Sequence, residues 1–203
     1  MFVKSSLIVL LFVAGIQGLV NVDVYYETLC PFSIRFIKEI LSPAWKDVGS
    51  AIDLTLNPFG NTEPFTSTVY AGRYGYICQH GIYECTTGFF EACGLKYLTK
   101  DDARKLIFCL ESQNPPNLGW ETCANEIKAN YTQLYDCVGN PYDGAEAYHK
   151  LGLQTVSHPG VPYLVINGNH NDTIQNEALG SVSSFIDLIC KEISSGPKPT
   201  ACS

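Results

Sequence analysis

Asn21-Val22-Asp23-Val24-Tyr25-Tyr26-Glu27-Thr28-Leu29-Cys30-Pro31-Phe32-Ser33 is the stretch on which the fold turns. Val22, Val24 and Tyr26 recur at every second position, the period of a half-buried strand, so residues 21–29 read as a strand. Cys30-Pro31 then opens a helix. Proline fits the first helical turn because its missing N–H would be unpaired there anyway. Phe36, Ile37, Ile40 and Leu41 follow at helical spacing, and Pro43 and Gly49 are expected to end the helix. Residues 51–58 alternate again through Ile52, Leu54 and Leu56. The chain therefore starts as strand, helix, strand, with a cysteine at the head of the helix.

Outward from this unit the pattern changes. Residues 60–94 show no regular period, are rich in Gly, Thr and Tyr, and hold three cysteines; they read as a disulfide-pinned loop region. Thr99 is placed to cap a helix, with Asp102 three residues on. Ala103, Leu106, Ile107 and Leu110 supply the apolar face of that helix. Asn114-Pro115-Pro116-Asn117 breaks the chain. One helix is expected over about 121–135 and a shorter one over about 143–151, ending at Gly152. His158-Pro159-Gly160-Val161-Pro162 reads as a turn, residues 163–166 as a short apolar strand, and Asn167-Gly168 as a hairpin turn. A last helix is expected over about 181–191. The order is strand, helix, strand, helical middle, proline-led strand, turn, helix. This is an α/β layout of the thioredoxin-like type, with a helical, disulfide-rich insertion over roughly residues 60–150. There is no internal repeat and no low-complexity segment.

The N-terminus carries Lys4 and an apolar run over residues 7–16, followed by Gly18. That is the form of a cleavable signal peptide, too short to cross a bilayer as a helix. The expected division is a signal peptide at 1–18, one domain at 19–195 and a tail at 196–203. Loss of Lys4 takes the formal net charge from −7 to −8, which argues against nucleic acid and anionic membrane as partners. No later stretch has the length of a membrane span. All nine cysteines lie beyond the leader, and behind a signal peptide cysteines pair. Eight can form four bridges and one is left over. Two sequons, at Asn130 and Asn171, are candidate glycosylation sites in an exported chain. The expected destination is secreted or lysosomal.

Cys30 is the expected leftover thiol. At a helix start it meets unpaired backbone N–H groups and the positive end of the dipole, both of which favour the thiolate. A dithiol site carries its second cysteine one turn further on. Here that position is Ser33, whose hydroxyl can hydrogen-bond the sulfur but cannot form a disulfide. Cys30 can open a substrate disulfide, and an outside thiol must then resolve the mixed disulfide. Val161-Pro162 stands where thioredoxin-like folds carry a cis-proline, whose preceding residue can pair with a substrate chain. A structural pairing of Cys30, and an ordinary trans turn at Pro162, stay open at this point.

The segment Cys78-Gln79-His80-Gly81-Ile82-Tyr83-Glu84-Cys85-Thr86-Thr87-Gly88, with Cys93 beyond it, closely resembles the signature of the gamma-interferon-inducible lysosomal thiol reductase family. That signature reads C-Q-H-G, two residues, E-C, two residues, N, four residues, C. The match fails only at the asparagine, replaced by Gly88. The resemblance extends over nearly the whole chain beyond the leader. It implies a thioredoxin-like, glycosylated, lysosomal or secreted protein that reduces protein disulfides; the expected reductant is an external small thiol, with no bound cofactor. Cys30 matches the family's nucleophile, and Ser33 departs from its resolving cysteine. The catalytic candidates are therefore Cys30 and Ser33, and the substrate-binding candidates Val161 and Pro162. Cys78, Cys85, Cys93, Cys109, Cys123, Cys137, Cys190 and Cys202 are the bridge-forming set, with 105 possible pairings. His80 is expected to be structural, and Gln79 and Glu84 to shape the loop by hydrogen bonds. The spacings are long for a zinc knuckle, so no metal is expected. His149, His158 and His170 are expected at the surface. Three functions compete: a monothiol oxidoreductase on protein disulfides, a secreted binding protein that keeps only the scaffold, and an isomerase or trap for thiol-bearing clients.

Overall fold

The structure is a computed structural model that describes residues 18–67 and 73–203. Apart from Gly18, the expected signal peptide lies outside the described residues. Strand β1 (Val20–Tyr25) buries Val20, Val22 and Val24 almost completely. It is the middle strand of a three-stranded sheet, parallel to β2 (Ile52–Asn57) with Val22 opposite Leu54. On its other side it is antiparallel to β5 (Tyr163–Ile166), with Val24 opposite Leu164. β1 ends four residues before the alternation suggested. Glu27 and Thr28 are fully buried and leave the sheet to meet polar partners from the insertion.

The first helix is longer than expected. It runs as α1 (Pro31–Arg35), a π-helical segment Phe36–Leu41 and α2 (Ser42–Val48). Pro43 does not end it. The Ser42 N–H bonds to the Ile37 carbonyl, five residues back, and this widened turn relieves the clash a proline ring makes with a regular helix. Phe36, Ile37, Leu41, Ala44 and Val48 pack against the sheet together with Phe185 and Ile189 of α9 (Val182–Glu192). α9 carries the capping box of Ser181 with Ser184.

The long segment between β2 and β5 is not the loop region expected over 60–94. It contains a hairpin, β3 (Glu63–Ser67) with β4 (Arg73–Ile77), and then a sixteen-residue helix, α3 (Ile82–Tyr97). α3 is hidden from a periodicity reading because it is buried on most of its circumference, Glu84, Thr87, Gly88, Glu91 and Gly94 included. No polar stripe remains to mark the period. α4 (Lys100–Ser112) begins at Thr99, whose hydroxyl accepts from the Asp102 N–H as the sequence suggests. The helix expected over 121–135 is two: α5 (Trp120–Glu126) and α6 (Tyr131–Gly139). Lys128 between them is left-handed (φ 59°), and Asn130 caps the second by accepting from the Gln133 N–H. α7 (Gly144–Gln154) completes the insertion. Phe90, Leu106, Leu110, Ala124 and Leu134 give it a core of its own.

Four disulfides tie the chain: Cys78–Cys85, Cys93–Cys137, Cys109–Cys123 and Cys190–Cys202. The last one fixes the C-terminal tail to α9. Asn167 and Gly168 both have positive φ, as the tight turn requires. No strand returns after them beyond a single bridge from Ile166 to Asn169. The chain enters instead a helix the sequence reading did not find, α8 (Asp172–Gly180), capped by Asn171.

Candidate active site

Cys30 is the cysteine outside the four bridges, and it is buried. It occupies the position just before α1, with the Ile34 N–H bonded to its carbonyl. Its Sγ lies 4.0 Å from the Val161 carbonyl, to which the thiol can donate. The Val161-Pro162 bond is cis, and β5 follows at once as an edge strand of the sheet. Residues 30 and 161, far apart in sequence, thus meet at one end of the sheet. Ser33 is one turn along the helix and fully buried; its hydroxyl accepts from the Glu27 N–H at 3.4 Å. Phe32, between them, is 70 % exposed.

The signature loop reaches this same point. Cys78 and Cys85 close a short ring around Gln79, His80, Gly81 and Glu84. Gly81 turns the chain with φ 87°, a conformation that favours glycine. Glu84, in the first turn of α3, reaches back to accept from the His80 N–H at 3.0 Å. It also contacts the His80 ring, Oε2 to Nδ1 at 2.5 Å, and accepts from the Leu29 N–H. Its carbonyl accepts from the Thr28 hydroxyl. Glu27 accepts from the Asn61 N–H at 2.8 Å and lies 3.5 Å from His80 Nδ1. As a result Cys30 Sγ, a Glu27 carboxylate oxygen and a His80 ring nitrogen are all within 4.8 Å of one another. His80 is thus not only a loop-shaping residue: the loop delivers it to the thiol.

Behind this cluster lie more buried acids. The Tyr26 hydroxyl donates to Glu91 Oε2 at 2.5 Å. Glu91 and Glu111 are fully buried and face each other. Burial pushes the Glu91 carboxyl up to about 8, against the pull of its hydrogen bonds to Tyr26 and Glu111. Burial first, then the charge of Glu91, raises Glu111 well above the usual carboxylate range. Burial and Glu84 also raise Glu27, partly offset by Asn61 and His80. Sequence reasoning missed Glu27, Glu91 and Glu111. The one available signal was a lone acid in an apolar context, as in Phe89-Phe90-Glu91-Ala92-Cys93.

The other histidines differ from expectation too. His149 stacks on Tyr74, His158 on Tyr25 and His170 on Tyr163, and all three are half-buried. Aromatic neighbours from distant elements take their ring faces out of solvent.

A three-stranded sheet with the β-α-β start, a thiol heading the first helix and a cis-proline beside it define the class: a thioredoxin-like thiol protein with a helical, disulfide-rich insertion. Residues 21–127 match the family described as "Gamma interferon inducible lysosomal thiol reductase (GILT)", and the chain belongs to that family. It is 32 % identical over 189 residues to the gamma-interferon-inducible lysosomal thiol reductase of Carassius auratus, covering 90 % of this chain and 72 % of that protein. Against a GILT-like protein of Anopheles gambiae the identity is 31 % over 204 residues, with 92 % and 81 % covered. Among solved structures, Pseudomonas aeruginosa DsbA aligns at a TM-score of 0.46 and 13 % identity, over 86 % of this chain and 84 % of that one. Among the described residues no helix is long and apolar enough to cross a membrane.

Proposed function

We propose that this chain is a thiol–disulfide oxidoreductase that acts on protein disulfides through Cys30 alone. The observation that carries the reading is the place of the one unbridged cysteine: at the helix start, against the cis-proline, with serine one turn on. The relatives named as thiol reductases support the same chemistry. In the forward step Cys30 thiolate attacks one sulfur of a substrate disulfide. A Cys30–substrate bond forms, the substrate S–S bond breaks, and the other sulfur leaves as a thiolate. Ser33 cannot displace the substrate, so an external small thiol attacks the substrate sulfur of the mixed disulfide and Cys30 leaves as thiolate; a second small thiol then frees the substrate thiol, and the two small thiols end as one disulfide. Edge strand β5 and Val161 supply backbone for an extended substrate chain, and exposed Phe32 supplies apolar contact. No bound cofactor is needed.

The destination that fits is the secretory route, to lysosome or exterior. Both sequon asparagines are exposed and cap helices through Oδ1, which leaves capping independent of the amide nitrogen that carries a glycan. The test of function is disulfide reduction with excess small thiol between pH 4.5 and 7. Wild type should accelerate it and Cys30→Ser should not. Equal rates for the two proteins overturn the proposal.

A further inference from the structure

We propose that His80 is the acid–base group of the exchange site, held by Glu84, and that it activates the outside thiol which Ser33 makes necessary. The inference rests on the oxidoreductase reading above. Its basis is geometric: a His80 ring nitrogen lies within 4.8 Å of Cys30 Sγ, one water or a small ring movement from hydrogen-bond reach. The Glu84 contact at Nδ1 orients the ring. The Cys78–Cys85 bridge and the Gly81 turn hold both residues in one rigid loop. The ring remains 35 % exposed, at a groove lined also by Pro31, Arg35, Lys38 and Asn114, so a small thiol can approach it. The charged groups facing it are Glu27 and Glu84 on the buried side, with Arg35, Lys38 and Glu39 around the groove.

The steps balance. When Cys30 thiolate opens the substrate disulfide, imidazolium gives its proton to the departing thiolate and becomes neutral. Neutral His80 then takes the proton of the incoming thiol, whose sulfur attacks the mixed disulfide. The bond to Cys30 breaks, Cys30 leaves as thiolate, and His80 is imidazolium again. The substrate sulfur is then bonded to the outside thiol; a second outside thiol displaces it, and the two outside thiols, joined as one disulfide, have supplied the two electrons. The base matters most in acid: a thiol of ordinary pKa 8.5 is ionised to only about one part in three thousand at pH 5.

The experiment compares wild type with His80→Gln, in the presence of a chelator, using cysteine as the outside thiol from pH 4.5 to 9. His80→Gln should lose about a hundredfold or more in turnover at pH 5. Its rate should climb about tenfold per pH unit up to about pH 8, following the thiolate fraction of the reductant, whereas wild type should level off near neutrality, where imidazole is already neutral. A single alkylatable thiol per chain and an unchanged melting midpoint certify folding. A variant with the wild-type pH profile, whatever its absolute rate, overturns the assignment. A second measurement needs no variant: wild type is charged with a mixed disulfide at Cys30, and its release by cysteine is timed against pH. A release rate that levels off near neutrality supports the base; one that keeps climbing about tenfold per pH unit to about pH 8 overturns it. Wild type inactive at every pH defeats the oxidoreductase reading itself, whereas an active wild type with an inactive Cys30→Ser and an unaltered His80→Gln profile defeats the His80 assignment alone.

Discussion

The buried pair Glu91 and Glu111 predicts that this fold gains stability as the solution is acidified from neutral to pH 5. No other partner faces Glu91 Oε1 or either Glu111 oxygen among the described residues, so the pair is satisfied only when a proton sits between the two carboxyls. Burial raises the folded pKa of Glu91 to about 8 from 4.5. For an acid with a raised folded pKa the stabilisation is fully present below the unfolded value. It is lost as pH rises toward the folded one, because the unfolded chain ionises while the folded chain cannot. The slope is about 1.4 kcal/mol per pH unit for one carboxyl. Between pH 5 and 7 Glu91 alone accounts for about 2–3 kcal/mol, a large part of a typical 5–15 kcal/mol. Glu111 and Glu27 shift in the same direction and add to it. The opposing groups act elsewhere. Lys105 and Arg104 hold Asp101 low, and Lys96 and Tyr97 hold Asp143 low despite its burial; what they contribute is lost only below about pH 4. The melting midpoint should therefore rise by roughly 5–10 °C from pH 7 to pH 5. Glu91→Gln should flatten the dependence by about one proton's worth. Scanning calorimetry or urea melts under non-reducing conditions measure both. A midpoint that is flat or falls on acidification, or an unchanged slope in Glu91→Gln, refutes the reasoning.

Other expected outcomes follow from single contacts. Ser33→Cys places a thiol one turn from Cys30 and should yield an internal disulfide that resolves substrate without excess small thiol; a mass consistent with two free thiols after mild oxidation contradicts this. Removing the Cys93–Cys137 bridge by double alanine substitution opens a link across 44 residues inside the insertion core. Chain entropy alone makes that cost about 4 kcal/mol, and a loss below about 1 kcal/mol in urea melts counts against it. At Gly88 an added Cβ would sit 2.6 Å from the ring of buried Tyr148, whose hydroxyl is fixed by Thr62 and Pro58. Gly88→Ala should destabilise, since overpacking at about 1–3 kcal/mol exceeds a helix-propensity gain of about 1 kcal/mol. The family's asparagine should cost more than alanine unless Tyr148 is shortened too, as melts of the Gly88→Asn, Tyr148→Leu pair will show.

The β-α-β start was legible because each element there has one buried face, so alternation and helical spacing stand out along the chain. α3 was not, because burial on nearly all sides erases the contrast on which periodicity depends. α8 was lost behind a turn signal that suggested a returning strand. The split at Lys128 was missed because a left-handed residue leaves no mark in an apolar stripe of Cys123, Ile127, Tyr131 and Leu134.

By itself the sequence determined that one cysteine is left over and that no second cysteine stands one turn after Cys30. The odd cysteine, the proline after it and Ser33 one turn on are facts of order along the chain, and local helix physics assigns them meaning. Only the tertiary structure decided what surrounds that thiol. The approach of Val161 to Cys30 and of the His80 and Glu84 pair to Leu29 and Cys30 joins residues fifty or more positions apart, and the bridge partners are four choices among 105 pairings. Nothing in local spacing encodes such distances. They follow from packing the insertion against the end of the sheet, where the buried carboxylates find partners on β1, on the chain after β2 and on the signature loop.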